Sequence, residues 1–327
     1  MAINTLATAD LFQRNLDKIA VRDAVTGWMD ANAGQVIYNG GATVKVPKMT
    51  IQGLGEYDRD NGYAQGSVGL TYETLELTQD RGRKFHLDAM DIDETNFVAT
   101  AGNVVSEFQR TYVIPEIDAY RLSKIASAAI KNDTAKGGNT GYVEYGYVPG
   151  AEGTSALRKF KEGVKAVRST GYTGQIVCQA SDTFIMELEL ELSGQLRSVT
   201  WAQGGFNTTV SVVDNVFIIP TPENRLYSKI TLYDGATEGQ KDGGYVKGVG
   251  ALDINFIILP RITPIAVQKQ DKLRIFSPDI NQALNAWRID YRRFHDLWVL
   301  DNKVDSIFVS VKDNASGATG ATGATGG

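Results

Sequence analysis

Polar and apolar positions alternate most regularly in two stretches near the start of the chain. In TVKVPKMTI, Thr43 to Ile51, Val44 and Val46 are set against Lys45 and Lys48, and in SVGLTYETLELTQD, Ser67 to Asp80, Val68, Leu70 and Tyr72 and then Leu75 and Leu77 keep the same period. A period of two predicts strands. The segment between them, QGLGEYDRDNGYAQG from Gln52 to Gly66, is rich in Gly, Asp and Asn and too long for a tight turn. A loop of that length and composition is functional or mobile, the plain alternative being an ordinary disordered hairpin tip.

A helical period appears on both sides of this pair. Leu6, Leu11, Leu16, Ile19 and Val25 form an irregular apolar pattern over Thr5 to Asp30, which predicts an N-terminal arm with helical content. Phe97, Ala101, Val104, Phe108 and Tyr112 form the apolar stripe of a long amphipathic helix. Asp91, Asp93 and Glu94 stand where the N-cap and the helix dipole favour acids. Pro115 is expected to break or kink this helix, and Tyr120, Leu122, Ile125, Ala126 and Ala129 resume the pattern to about Ile130.

The Gly-dense stretch from Lys131 to Gly153 reads as a boundary before a second lobe. There Leu157, Phe160, Val164 and Val167 predict a short helix capped by Thr154 or Ser155. QIVCQ reads as a buried strand. SDTFIMELELELSG fits both periods, but its Met, Glu and Leu residues and the cap offered by Ser181 favour a helix. Strands are expected at Thr209 to Val213 and Val216 to Ile219, joined by Asp214-Asn215, then at Ile230 to Tyr233 and Asp253 to Leu259. The Gly-rich segment from Asp234 to Gly250 reads as a loop, and a second boundary falls near Thr263 to Asp271. RIDYRRFHDLWVL and SIFVSV are expected to form a hairpin across DNK. The tail GATGATGATGG has no apolar side chain to pack and reads as flexible.

Composition narrows the classes of function. Lys plus Arg number 33 and Asp plus Glu 38, a net charge of −5 over 327 residues, which argues against a strongly basic nucleic-acid binder. Hydrophobic residues at 43% and charged residues at 22% are ordinary for a globular chain, so a core can form. A single cysteine, Cys178, excludes an intrachain disulfide. The N-terminus carries charges where a signal peptide needs an apolar stretch, and the longest apolar runs, VFIIP and FIILP, are far below the ~18 residues of a membrane helix, so a soluble cytosolic protein is expected.

No catalytic constellation emerges. His86 and His295 have no second His or Cys nearby for a metal site. Asp88, Asp91, Asp93 and Glu94 could attract a hard cation, but they lack the glycine of a calcium loop and helix capping accounts for them. Glu187, Glu189 and Glu191 could supply paired carboxylates, although a solvated helix face offers the same. Gly248-Val249-Gly250 lacks the third glycine of a dinucleotide fingerprint, and Cys178 reads as a small hydrophobe in a buried strand. No cofactor is expected.

Three long runs carry a family resemblance: GLGEYDRDNGYAQGSVGLTYETLELTQDRGRKFHLDAMDIDET, EFQRTYVIPEIDAYRLSKIA and IFSPDINQALNAWRIDYRRFHDLWVLDNK. In these the chain resembles the major capsid proteins of tailed phages that infect Gram-positive bacteria, collinearly from about Val25 to Val311. The resemblance implies an α+β fold of the Hong Kong ninety-seven type. Residues 1–42 would be the N-terminal arm, 43–88 the E-loop hairpin, 89–131 the spine helix of the peripheral domain, 132–261 the axial domain, 262–313 the peripheral return strands and 314–327 the tail.

Implied with it is a structural, non-enzymatic role: self-assembly into hexamers and pentamers of an icosahedral head that encloses double-stranded DNA without binding it tightly. The location would be the virion, with assembly in the host cytoplasm and no membrane. Partners would be further copies of the chain, a portal, possible decoration proteins and a separate scaffolding protein, since the first hairpin strand begins by Thr43 and leaves no long preceding segment. Glu56, Tyr57, Asp58, Arg59, Asp60 and Tyr63 at the E-loop tip are the expected assembly interface, and Phe97, Val104 and Phe108 the spine core. Gln52 to Gly66 contains no lysine, which argues against covalent crosslinking through the loop. Two other readings are an encapsulin-like compartment shell and, from another class, a carbohydrate-active enzyme using paired carboxylates.

Overall fold

The computed structural model describes residues 24–36, 43–60, 62–63, 65–88, 101–138, 140–193, 197–203, 206–277 and 286–314. The expectations for most of the N-terminal arm, for Asp91, Asp93, Glu94 and Phe97, and for the tail fall outside them. Of the arm, residues 24–36 are described, with a 3-10 helix over Gly27–Gln35.

The alternating stretches form an antiparallel hairpin: β1 (Thr43–Ile51) pairs with β2 (Val68–Glu76) from Thr43 opposite Glu76 to Ile51 opposite Val68. Unbroken register puts every second cross-strand pair on the same face. Val44, Val46 and Leu75 share one face and pack at the hairpin base against Leu77, Ile265 and Trp298. On the opposite face the pairs Pro47–Tyr72, Met49–Leu70 and Ile51–Val68 are all exposed.

The hairpin ends at Glu76. The next strand, β3 (Gln79–Asp88), turns away from it into another sheet. Helix α1 (Ala101–Phe108) follows, then a π-helical turn over Gln109–Val113, then α2 (Ile114–Ala135). Pro115 does not break the helix. It sits in the first turn of α2, and the wider π turn before it takes up the contact its ring would force on the preceding carbonyls.

The remaining elements, in order, are β4 (Val143–Glu144), α3 (Ala156–Ser169), β5 (Ile176–Ser181), α4 (Asp182–Leu192), β6 (Arg197–Gln203), β7 (Phe206–Val213) and β8 (Val216–Thr221). After them come β9 (Ile230–Leu232), β10 (Tyr245–Lys247), β11 (Ile254–Pro260), β12 (Pro264–Phe276), β13 (Ala286–Val299) and β14 (Phe308–Val311). Ser155 and Ser181 cap α3 and α4, accepting from the backbone N–H groups of Arg158 and Phe184. The ambiguous SDTFIMELELELSG is therefore helical. Asp214 and Asn215, with φ of 50° and 65°, make the tight β7–β8 turn that their residue types predict.

Seven strands form one sheet in the order β4-β14-β11-β5-β8-β7-β6. Leu122, Ile125 and Ala129 of α2 pack on one face with Val177, Ile257 and Val309. Phe160 and Val164 of α3 and Phe184 and Leu188 of α4 pack on the other with Cys178, Ile258 and Phe308. Covering both faces requires apolar residues at successive positions, which is why QIVCQ and FIILP read as continuous runs. A separate three-stranded sheet has the order β12-β13-β3.

One expectation needs correction. The strands either side of DNK do not form a hairpin: Asp301–Ser306 is a 3-10 helix that carries the chain from β13 in the small sheet to β14 in the large one. The boundary expected near Thr263 to Asp271 falls where the chain passes from β11 in the large sheet to β12 in the small one, although most of that range is itself the start of β12. Strand β6, at the edge of the large sheet, has an exposed first half and escapes the apolar pattern.

Candidate functional site: the projecting hairpin and the cleft beside the long helix

At its root the hairpin is held by directional bonds. The backbone N–H and hydroxyl of Thr78 both donate to Asp296 at 3.0 Å, and Trp298 donates through its indole to the carbonyl of Glu76 at 3.1 Å. Asp296 is fully buried and also receives Tyr120, at 2.8 Å, and Lys124 from α2. Burial and the neighbouring Asp296 carboxylate push the Tyr120 phenol upward, so it remains a donor. A charged, fully bonded root of this kind fixes the angle at which the hairpin leaves the body.

At the far end the structure brings most of the predicted tip residues together. Asp58 and Gly62 exchange backbone bonds of 3.1 and 2.8 Å, and Asp58 accepts from the N–H of Asp60 at 2.9 Å. Gly62 has φ +80°, a conformation a side chain would strain. The turn sets Tyr57 edge-on to Tyr63 with ring centres 4.9 Å apart, both exposed. Arg59 and Asp60 stand at the turn itself and Glu56 just before it, all exposed.

Of the predicted spine core, Phe97 lies outside the described residues, and Val104 and Phe108 are half-buried. Among the described side chains of α1 the buried one is Val105, which packs with Ile289, Phe85 and Leu87. Phe108 instead meets Phe85 at 4.9 Å and Tyr291 at 5.9 Å, edge to face.

Those rings form part of the wall of a cleft of about 400 Å³ between β3, β13, the π turn and the loop joining β9 to β10. Arg81 closes one side, chelating Glu116 at 2.7 and 2.9 Å and donating to the carbonyl of Tyr233 at 2.8 Å. Arg293 pairs with Asp271 at 3.0 Å. His295, buried beside Arg293, is held neutral because burial and the surrounding cations push its pKa well below the usual histidine range. Sequence pattern missed this cleft because its residues come from four separate segments.

A second buried cluster lies where residues 24–36 cross α2. Asp118 accepts from the N–H groups of Val25 and Thr26 at 3.1 Å and from Arg225 at 2.8 Å, while Arg121 pairs with Asp30 at 2.6 Å. Burial pushes the Asp118 carboxyl upward and Arg225 opposes it.

The candidate chemistry finds no constellation here. Cys178 is fully buried and its thiol is pushed upward by that burial. Glu191 accepts from the N–H groups of Ala156 and Leu157 at 2.6 and 3.0 Å, so it serves the start of α3 rather than a carboxylate pair. Among the described residues no group of His, Cys, Asp and Glu is arranged to hold a metal ion, and no helix is long and apolar enough to cross a membrane.

No family model matches the chain, and no curated protein is similar to it. Solved structures do resemble it. The capsid structure of the Cyanophage P-SCSP1u superposes with a TM-score of 0.52 at 11% identity, covering 86% of each chain. The mature capsid of bacteriophage PhiM1 superposes with a TM-score of 0.51 at 8% identity, covering 84% of this chain and 83% of the other. The chain thus has the α+β fold of phage capsid subunits, as its sequence runs imply.

Proposed function

We propose that this chain is the major shell subunit of an icosahedral tailed-phage head, a structural protein that assembles with further copies of itself. The observation that carries the reading is the hairpin. Met49, Ile51, Val68, Leu70 and Tyr72 leave more than half of their surface open, on a two-stranded element that nothing in its own subunit covers among the described residues. An isolated hairpin with an uncovered apolar face is marginal in water, and a contiguous patch of this kind marks an interface. A fold shared with phage capsid subunits supports a neighbouring copy as the cover.

On this reading the seven-stranded sheet with α3 and α4 is the axial domain, the three-stranded sheet with α1 and α2 the peripheral domain, and β1–β2 the E-loop. The mildly acidic chain suits a container whose contents must leave it, because tight binding would need a basic surface. A scaffolding protein, a portal and decoration proteins complete the proposed partners, with assembly in the host cytoplasm and residence in the virion. Electron microscopy of the purified recombinant chain tests the reading: closed shells, rings or sheets of capsomers are expected, and a protein that remains monomeric at assembly concentrations refutes it. Shells isolated with enzyme cargo instead of DNA would favour the compartment alternative.

A further inference from the structure

We infer that the solvent side of α3 is a docking surface for a separate protein, one that presents an acidic segment with interspersed apolar side chains. The inference goes beyond the shell reading and does not depend on it.

Packing decides which side of α3 is free. Phe160, Val164 and Val167 are turned into the large sheet, and Gly163 lies so close that a side chain there would meet Phe308 and Ile258 at 2.8 and 2.9 Å. With that side committed, Arg158, Lys161, Lys165 and Arg168 fall at i, i+3, i+7 and i+10 on the other, all exposed. They form a stripe about 15 Å long. The helix holds five cations, Lys159 included, against one acid, Glu162, a net of +4 in a chain whose total is −5. The stripe is a basic island on an acidic molecule.

Its cations are weakly engaged within the subunit. Arg158 pairs with Glu162 at 3.0 Å and Lys161 with Asp214 at 3.2 Å, both on open surface, where an ion pair contributes little and is readily exchanged. Lys165 has no carboxylate partner among the described residues. Along the stripe runs an open groove of about 430 Å³, lined by Ser155, Leu157, Arg158, Lys161, Glu162 and Lys165. Leu157, half-buried, gives it an apolar surface.

This mixture selects a peptide over a nucleic acid. A DNA strand carries a charge about every 3.4 Å, so it would meet Glu162 inside the stripe and an acidic molecule around it. A peptide can set carboxylates against Lys161 and Lys165, a neutral side chain opposite Glu162 and an apolar one on Leu157. The charges then fix register while the apolar contact adds affinity.

Fluorescence anisotropy with a labelled peptide of glutamate and leucine tests the inference, on unassembled subunits and on assembled shells. Saturable binding to both is expected, weakened about tenfold by Lys161→Glu combined with Lys165→Glu. Lys241→Glu, on the exposed Gly-rich loop, should leave it unchanged. A peptide with glutamine in place of leucine should bind more weakly. With all variants folded by circular dichroism, the inference is overturned by an absence of binding to the parent, by an equal loss in Lys241→Glu, or by equal affinity for the glutamine peptide. Random-sequence duplex DNA bound as tightly as the peptide, with the same loss in the double variant, overturns it in favour of a general polyanion surface. Subunits that bind while shells do not overturn it too, because a second copy then covers α3. None of these outcomes bears on the shell reading, which electron microscopy decides separately.

Discussion

Asp118 and Thr26 are 92 residues apart, yet the carboxylate of one receives the backbone N–H of the other at 3.1 Å in a fully buried setting. Through this bond the segment before the hairpin is tied to the second turn of α2. Asp118→Ala leaves the N–H groups of Val25 and Thr26 without their acceptor and Arg225 without its counter-ion. A loss of about 3–5 kcal/mol is expected, the range for breaking one side of a buried pair. Denaturant unfolding of the subunit measures it, and a midpoint unchanged from the parent would show the tie to be unimportant.

Phe108 is half-buried but meets two rings edge-on. Phe108→Ala should therefore cost about 2–3 kcal/mol, somewhat less than the ~3–5 of a fully enclosed phenylalanine. Val105→Ala, at the buried position of the same helix, is the comparison. Thermal melts of both variants rank the positions, and an unchanged melting temperature for Phe108→Ala would remove it from the packing.

His295 gives a pH dependence with a definite sign. The folded state keeps the imidazole neutral, whereas the unfolded chain takes up a proton near pH 6.5. Stability is present above that pH and is lost as the pH falls below it, by up to about 1.4 kcal/mol per unit for one proton. His295→Gln should flatten this part of the stability profile. Equal slopes for parent and variant between pH 7 and 5 would rule the group out.

Leu70 and Ile51 lie on the exposed face of the hairpin. Leu70→Lys and Ile51→Lys should leave the subunit folded by circular dichroism and within about 0.5 kcal/mol of the parent, as exposed substitutions do, while abolishing particles. Arg59→Glu at the tip should impair particles without unfolding the subunit. Normal particle counts by electron microscopy from all three would detach the hairpin from assembly.

Because Gln52 to Gly66 contains no lysine, mature shells should dissolve to a monomer band on a denaturing gel. A ladder that survives boiling and reductant would reveal a covalent bond formed elsewhere in the chain.

Local chemistry made much of this architecture readable. Ser155 and Ser181 announced their helices, Asp214-Asn215 its turn, and the alternation around Val46 and Leu70 the hairpin with its exposed face. Sequence alone cannot say which sheet a strand joins. LWVL and SIFVSV look like neighbours across DNK, but partner choice is decided by contacts with β11 and β12, far away in the chain. The cleft was illegible for the same reason: Arg81 reaches the carbonyl of Tyr233 beside it only after the three-stranded sheet and the glycine loop have formed. Periodicity placed the helix stripe at Val104 and Phe108, which are both half-buried, while the fully enclosed side chain between them is Val105.

The place of β14 has a consequence for biosynthesis. It lies between β11 and β4, so a strand ending at residue 311 closes a sheet begun at residue 143. While β14 is still inside the ribosome, the backbone edge of β11 and its apolar side chains have no neighbour on that side. Such distant pairings form late and slowly. A nascent or truncated chain therefore cannot offer a finished body, however early its hairpin appears. On the shell reading, a chain whose β14 is not yet translated would be held back from the lattice by its unfinished sheet.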